Sequence, residues 1–244
     1  MQRKLGWQGW VIKRLGWFAN FLLRLRGRVQ RIMNRMLEVH QPELTQLPFY
    51  SPYYFHRKSQ LERLPKTSNI IFLGDSLTTE GEWSELLGVA VSNRGISGDT
   101  TYGVLQRLDG ILENHPPKIF LMIGTNDLER RLDLAILLDN YRGILQRCHG
   151  ALPETTVYVQ SILPVAHRSD YLHKNQAIAT VNHQLAALAQ EFGYPFIDLH
   201  PHFLRPTGHT GRPELDPQYS QDGVHLNGLA YERWASLIQQ YVAR

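Results

Sequence analysis

The 244-residue chain is 43% hydrophobic and 20% charged, an ordinary globular composition with length for one filled core and an accessory segment. Its single cysteine, Cys148, excludes an intrachain disulfide framework and a cysteine zinc cluster, and its apolar helical surroundings mark it as a buried structural thiol. The net charge of +4 divides unevenly: residues 1–40 hold nine Lys or Arg against the one acid Glu38, while the rest, with 17 basic and 21 acidic residues, carries −4, which argues against nucleic acid as a partner.

Residues 1–40 are expected to form a basic amphipathic helical arm. Val11, Leu15, Phe18, Leu22, Leu25, Val29, Ile32 and Met36 recur at steps of four and three, the spacing of one helix face, with Trp7, Trp10 and Trp17 clustered near its start. Arg24 and Arg26 cut the longest apolar run short of the ~20 residues that a membrane-spanning helix needs. The same interruption, with no small-residue cleavage site after it, makes a poor signal peptide, so the expected location is cytoplasmic. The stripe has two uses open to it: peripheral contact with an anionic membrane, or packing on the domain or on a second copy in a homo-oligomer. The tryptophans and arginines favour the membrane.

Residues 41–67 read as a linker, punctuated by Pro42, Pro48, Pro52 and Pro65, with aromatic residues that suggest contact with the domain surface. From there to residue 244 short apolar runs alternate with helical patterns. The runs are Ile70–Leu73, Val89–Ser92, Ile119–Ile123, Val157–Ser161 and Phe196–Leu199. The helical stretches cover Tyr102–Glu113, Leu132–His149, Asn175–Phe192 and Gly228–Val242. This alternation predicts an α/β domain with a parallel sheet between two layers of helices.

Functional groups in such a sheet gather just beyond the carboxyl ends of the strands. Three polar blocks fall there: Gly74-Asp75-Ser76-Leu77, Asn93 through Thr100, and Gly124-Thr125-Asn126-Asp127. A fourth, Asp222-Gly223-Val224-His225, precedes the last helix. A serine hydroxyl is a weak nucleophile and needs a base, which in turn needs a group to fix its tautomer. Asp222 and His225, three residues apart in a turn, suit that coupling, with Ser76 on another loop. An oxyanion formed in acyl transfer needs aimed donors, which Gly98 N–H, the Asn126 amide and Ser76 N–H would supply. Singly, each block also reads as a helix cap or a turn.

Together the four blocks resemble the GDSL, or SGNH, hydrolase superfamily, through Ser76 in an unaltered GDSL sequence, Gly98, Asn126 and His225, with Asp222 three residues before the histidine. The resemblance spans residues 69–242. It implies a flavodoxin-like three-layer α/β/α fold with a five-stranded parallel sheet, no cofactor, and a serine esterase acting on a small-molecule ester. Gly95 through Thr101, with Arg107-Leu108 and Lys118-Ile119, further resembles the catalytic subunits of platelet-activating-factor acetylhydrolase and related bacterial acylesterases, which implies short acyl groups. A carbohydrate O-acetylesterase, a lysophospholipase or a thioesterase would use the same site, and a catalytically silent binding module would need no intact site.

Asp99 is expected to cap the next helix and to steady the loop bearing Gly98. Arg94 has two readings, a ligand for a substrate anion or a solvent-facing charge, of which the second is favoured. His167, His173, His200, His202 and His209 lack the spacing of a metal site, so no metal is expected. The acyl pocket is expected between the loops Pro164–Tyr171 and His200–Ser220.

Overall fold

Five short strands, all but the second built from apolar runs, form one parallel sheet. In the computed structural model, which describes residues 50–65, 68–166, 172–206 and 213–243, the strands are β1 (Ile70–Gly74), β2 (Ser92–Gly95), β3 (Lys118–Met122), β4 (Thr156–Gln160) and β5 (Phe196–Ile197). They lie in the order β2-β1-β3-β4-β5, all parallel, as the alternating pattern and the resemblance imply. The described residues belong to a compact unit, Phe49–Arg244.

Successive strand residues point to opposite faces, and both faces are covered. Ile71, Leu73, Ile119, Leu121, Val157 and Val159 pack with α4 (Thr101–Gln106), α5 (Asp109–Leu112), α7 (Leu134–Ala151) and α8 (Leu172–Glu191). Ile70, Phe72, Phe120, Met122 and Tyr158 face α3 (Trp83–Leu87) and α9 (Gly228–Val242). On that second face Phe72, Phe120 and Tyr158 form a stack across three strands, with ring centroids 4.8 and 4.7 Å apart, and Trp83 lies 4.4 Å from Phe72. Cys148 is buried in the first layer, where desolvation pushes its thiol pKa up to about 12.

Three departures from the sequence reading have local causes. The second strand does not run over Val89–Ser92 but begins at Ser92, because Gly88 ends α3 in the left-handed region (φ +66) and the chain crosses the surface before it joins the sheet edge. The helix expected over Tyr102–Glu113 is two helices, α4 and α5. Arg107 leaves helical geometry between them (φ −109, ψ 9) and turns its guanidinium inward. The stretch read as linker contains a helix, α1 (Pro52–Arg63), with Pro52 in its first turn and Tyr54 and Leu61 buried. The amphipathic arm of residues 1–40 lies outside the described residues. Among those described, no helix is long and apolar enough to cross a membrane.

Candidate active site

The carboxyl end of the sheet gathers the sequence blocks singled out above. β1 ends at Gly74, where a Cβ would meet Thr78 Oγ1 at 2.2 Å and the Met122 carbonyl at 2.3 Å, so only glycine allows the chain to turn at once into α2 (Ser76–Thr79). Asp75 caps that helix by accepting from Leu77 N (3.1 Å), which leaves Ser76 as its first residue, 8% exposed. Asn93 of β2 donates through Nδ2 to the carbonyls of Thr78 (2.8 Å) and Thr79 (3.1 Å), which holds the far end of the Ser76 helix against the edge strand.

Gly98 lies in the loop after β2, with φ +79. A buried polar framework fixes this loop. Arg107 spends Nε on Asp99 Oδ2 (2.8 Å), Nη1 on the Arg94 carbonyl (2.7 Å) and Nη2 on the Gly74 carbonyl (3.1 Å), so one guanidinium ties the ends of β1 and β2 to the residue after Gly98. The cap of α4 is Thr100, which accepts from Gly103 N (3.3 Å), and not Asp99 as the sequence suggested. Asp99 is free for Arg107 because the neighbouring hydroxyl does the capping. Asn126, in α6 (Thr125–Glu129), donates through Nδ2 to the Asp99 carbonyl at 2.9 Å, while Arg130 Nη2 donates to the Gly98 carbonyl at 2.8 Å. Asp127 faces the other way, accepting from Thr101 N (3.0 Å) and Thr101 Oγ1 (2.5 Å); burial raises its pKa to about 6.

Asp222 and His225 occupy the turn before α9. Asp222 Oδ2 lies 2.7 Å from His225 Nδ1, and Oδ1 accepts from the backbone N–H of Val224 (2.9 Å) and of His225 (2.8 Å). Burial works against the carboxylate, but these hydrogen bonds outweigh it and hold Asp222 well below the usual carboxylate range. With Asp222 ionised, Nδ1 carries the hydrogen and Nε2 is the free acceptor. Partial burial likewise disfavours the imidazolium of His225. The hydrogen bond and charge of Asp222, joined by the charges of Glu80 and Asp75, overcome this and raise its pKa. The influence of Glu80 and Asp75 brings His225 into the electrostatic field of the Ser76 helix. Tyr231 of α9 locks the two together by donating to the Leu77 carbonyl at 2.9 Å.

The turn is fastened to the loop after β4, where Ala166 N donates to the Gly223 carbonyl (2.8 Å); a Cβ on Gly223, whose φ is +86, would meet Ala166 Cβ at 2.7 Å. Residues 167–171 and 207–212 of the two loops expected to shape the acyl pocket lie outside the described residues, as do His167 and His209. Among the described residues no group of three His, Cys, Asp or Glu side chains is placed to hold a metal ion.

Arg94 corrects an expectation: it is 5% exposed and not turned to solvent. The sequence reading also passed over the connections made by Tyr50, Tyr54 and Arg130. Tyr50 OH lies 2.5 Å from Thr100 Oγ1 and Tyr54 OH donates to the Gly103 carbonyl at 3.1 Å, so the segment read as a linker braces the loop that bears Gly98.

Comparison with known proteins is consistent across sequence and structure. Residues 72–233 match the model of the GDSL-like Lipase/Acylhydrolase family. A curated Escherichia coli (strain K12) protein, thioesterase 1/protease 1/lysophospholipase L1, is 30% identical over 179 residues, covering 68% of this chain and 78% of its own. A solved structure from Streptococcus pneumonia, named for platelet activating factor, superposes with TM-score 0.67 at 25% identity over 89% of this chain and 99% of its own. An acetylxylan esterase from Geobacillus stearothermophilus, at 15% identity, shares the fold alone, with TM-score 0.60 over 73% of this chain and 95% of its own.

Proposed function

Since the chain belongs to the GDSL-like lipase/acylhydrolase family and is a hydrolase of that kind, we propose that it cleaves small acyl esters through an acyl-enzyme on Ser76. The observation that carries this reading is the 2.7 Å contact between Asp222 and His225 in a turn docked on the Ser76 helix. His225 Nε2 takes the Ser76 proton as Oγ attacks the ester carbonyl, and the imidazolium then protonates the departing alcohol. Water, activated by the same nitrogen, releases the acid. Asp222 keeps the tautomer that leaves Nε2 free and stabilises the imidazolium.

The tetrahedral oxyanion is met by Ser76 N–H, Gly98 N–H and Asn126 Nδ2. Asn126 commits one amide hydrogen to the Asp99 carbonyl and keeps the second for the oxyanion. The short-acyl reading draws on the Gly95–Thr101 resemblance. A longer-acyl reading, lysophospholipase or thioesterase, draws on the 30% identity with the Escherichia coli relative.

Two measurements test the proposal. A fluorophosphonate should label wild-type protein and leave Ser76→Ala unlabelled, and labelling of a folded Ser76→Ala would remove Ser76 as nucleophile. Rates on para-nitrophenyl esters from acetate to decanoate should fall beyond short acyl groups; a maximum at octanoate or decanoate would select the longer-acyl reading.

A further inference from the structure

Away from the five proposed catalytic and oxyanion residues, α1, β2 and α5 line a small open cleft whose wall includes Lys58, Leu61, Glu62, Arg94, Arg107 and Ile111. Of the two guanidinium groups in this wall, only that of Arg107 is paired with a carboxylate. Arg107 is neutralised by Asp99 at 2.8 Å and has its nitrogens engaged. Arg94, although 5% exposed, has no acidic partner among the described residues and donates only to the carbonyls of Asn93 (3.4 Å) and Pro65 (3.3 Å), both long bonds. Arg57 of α1, outside this lining, adds a third guanidinium charge near Arg94; its Nη1 donates to Gln60 Oε1 at 2.5 Å, while its buried Nε has no hydrogen-bond partner. Burial, then the charges of Arg57 and Arg107, lower the pKa of Arg94, the mark of a cation held near others without its counter-charge. Lys58, in the lining, leans 3.7 Å towards Glu62, which also lines the cleft but is half-exposed at its mouth. A buried cation without a partner is costly, and an anion seated beside it recovers that cost.

We propose that this cleft binds a phosphate group, with Arg94 as its buried ligand, Lys58 at the entrance and the nearby charge of Arg57 adding to the positive field. A phosphate dianion answers the uncompensated charge of Arg94 and the neighbouring charge of Arg57, and its tetrahedral oxygens accept from several N–H donors at once. Leu61 and Ile111 complete the lining. The site is independent of ester hydrolysis. Its ligands are not shared with the proposed machinery, although Arg107 stands in its wall and also holds Asp99.

Calorimetric titration of the full chain at constant ionic strength, with inorganic phosphate, glycerol phosphate, and phosphatidylcholine vesicles with or without phosphatidic acid, tests the site. Saturable one-to-one binding of a phosphate group, with a raised thermal midpoint, is the expected result. Arg94→Met should weaken it on the order of 10–100-fold, the loss of a charge-assisted hydrogen bond. Because a change at buried Arg94 can disturb folding, Arg57→Gln and Lys58→Gln are the second arm, each weakening binding by about threefold or more. Binding by the soluble phosphates assigns the ligand to solution, and binding by phosphatidic acid vesicles alone, lost in the same variants, assigns it to a lipid headgroup. No saturable binding in the wild type, or binding unchanged in all three variants, overturns the proposal.

Discussion

Asn126 Nδ2 lies 2.9 Å from the carbonyl oxygen of Asp99, so the amide proposed to meet the oxyanion is hydrogen-bonded to the residue that follows Gly98. Two of the three proposed donors therefore move as one piece. Asn126→Ala should lower kcat by ~10²–10³ with a smaller change in KM, because the donor serves the charged transition state more than the ground-state ester. Steady-state kinetics on a soluble acetate ester decide it: a variant whose only defect is a raised KM takes Asn126 out of the oxyanion hole.

The pH profile should report His225. The base must be neutral, its pKa is raised by Asp222 with help from Glu80 and Asp75, and so kcat/KM should fall with decreasing pH through a midpoint above the ordinary histidine value. Asp222→Asn removes the charge and the hydrogen bond, and should both lower activity and move that midpoint down. An acid limb unmoved by Asp222→Asn would assign it to another group.

Asp75 gives a prediction of opposite flavour, about stability. Burial raises its folded pKa from 3.8 to about 7, and Oδ2 has no hydrogen-bond partner. Between these values the folded chain binds more protons than the unfolded one, so stability is full below the unfolded value and is lost as pH rises towards 7. Asp75→Asn keeps an acceptor for Leu77 N and cannot ionise. Thermal unfolding followed from pH 5 to 8 should show a shallower decline in the variant than in the wild type, with the residual slope from Asp127. Parallel curves would mean that Asp75 stays ionised throughout.

Gly103 is where α4 meets the loop framework. A Cβ there would stand 1.9 Å from Asp99 Oδ1 and 2.6 Å from Tyr50 OH. Gly103→Ala should therefore cost roughly 1–3 kcal/mol in urea unfolding, as forced overpacking does, and should lower kcat as well by displacing Asp99 and with it Gly98. Gly110→Ala, at an open helical position, serves as the control and should be neutral or slightly stabilising. Equal stability of the two variants would show that the loop yields without cost.

The layers of the fold were legible because parallel strands buried on both faces carry near-continuous apolar runs, as in Ile70–Leu73 and Ile119–Ile123. The last helix is found over Gly228–Val242, the predicted limits, since Asn227 caps it by accepting from Ala230 N. β2 was misplaced because its residues, Ser92–Gly95, carry no apolar run: as an edge strand it is held by polar ties from Asn93 and Arg107. For the candidate site, strand ends and turn chemistry pointed to Ser76, Gly98, Asn126, Asp222 and His225. The framework behind them was not legible, because the reach of Arg107 to Asp99, Arg94 and Gly74 joins positions up to 33 residues apart, with no periodicity linking them.

Helix α1 lies wholly upstream of residue 72, where the family match begins. Its Tyr54 nevertheless supplies the donor for the Gly103 carbonyl and, with Leu61, closes the flank of the domain beside α4 and α5. Sequence similarity and mechanical integrity therefore draw different borders. A protein trimmed to the matched span would lose the brace that Tyr50 and Tyr54 set against Thr100 and Gly103, and a span that keeps this brace begins no later than Tyr50.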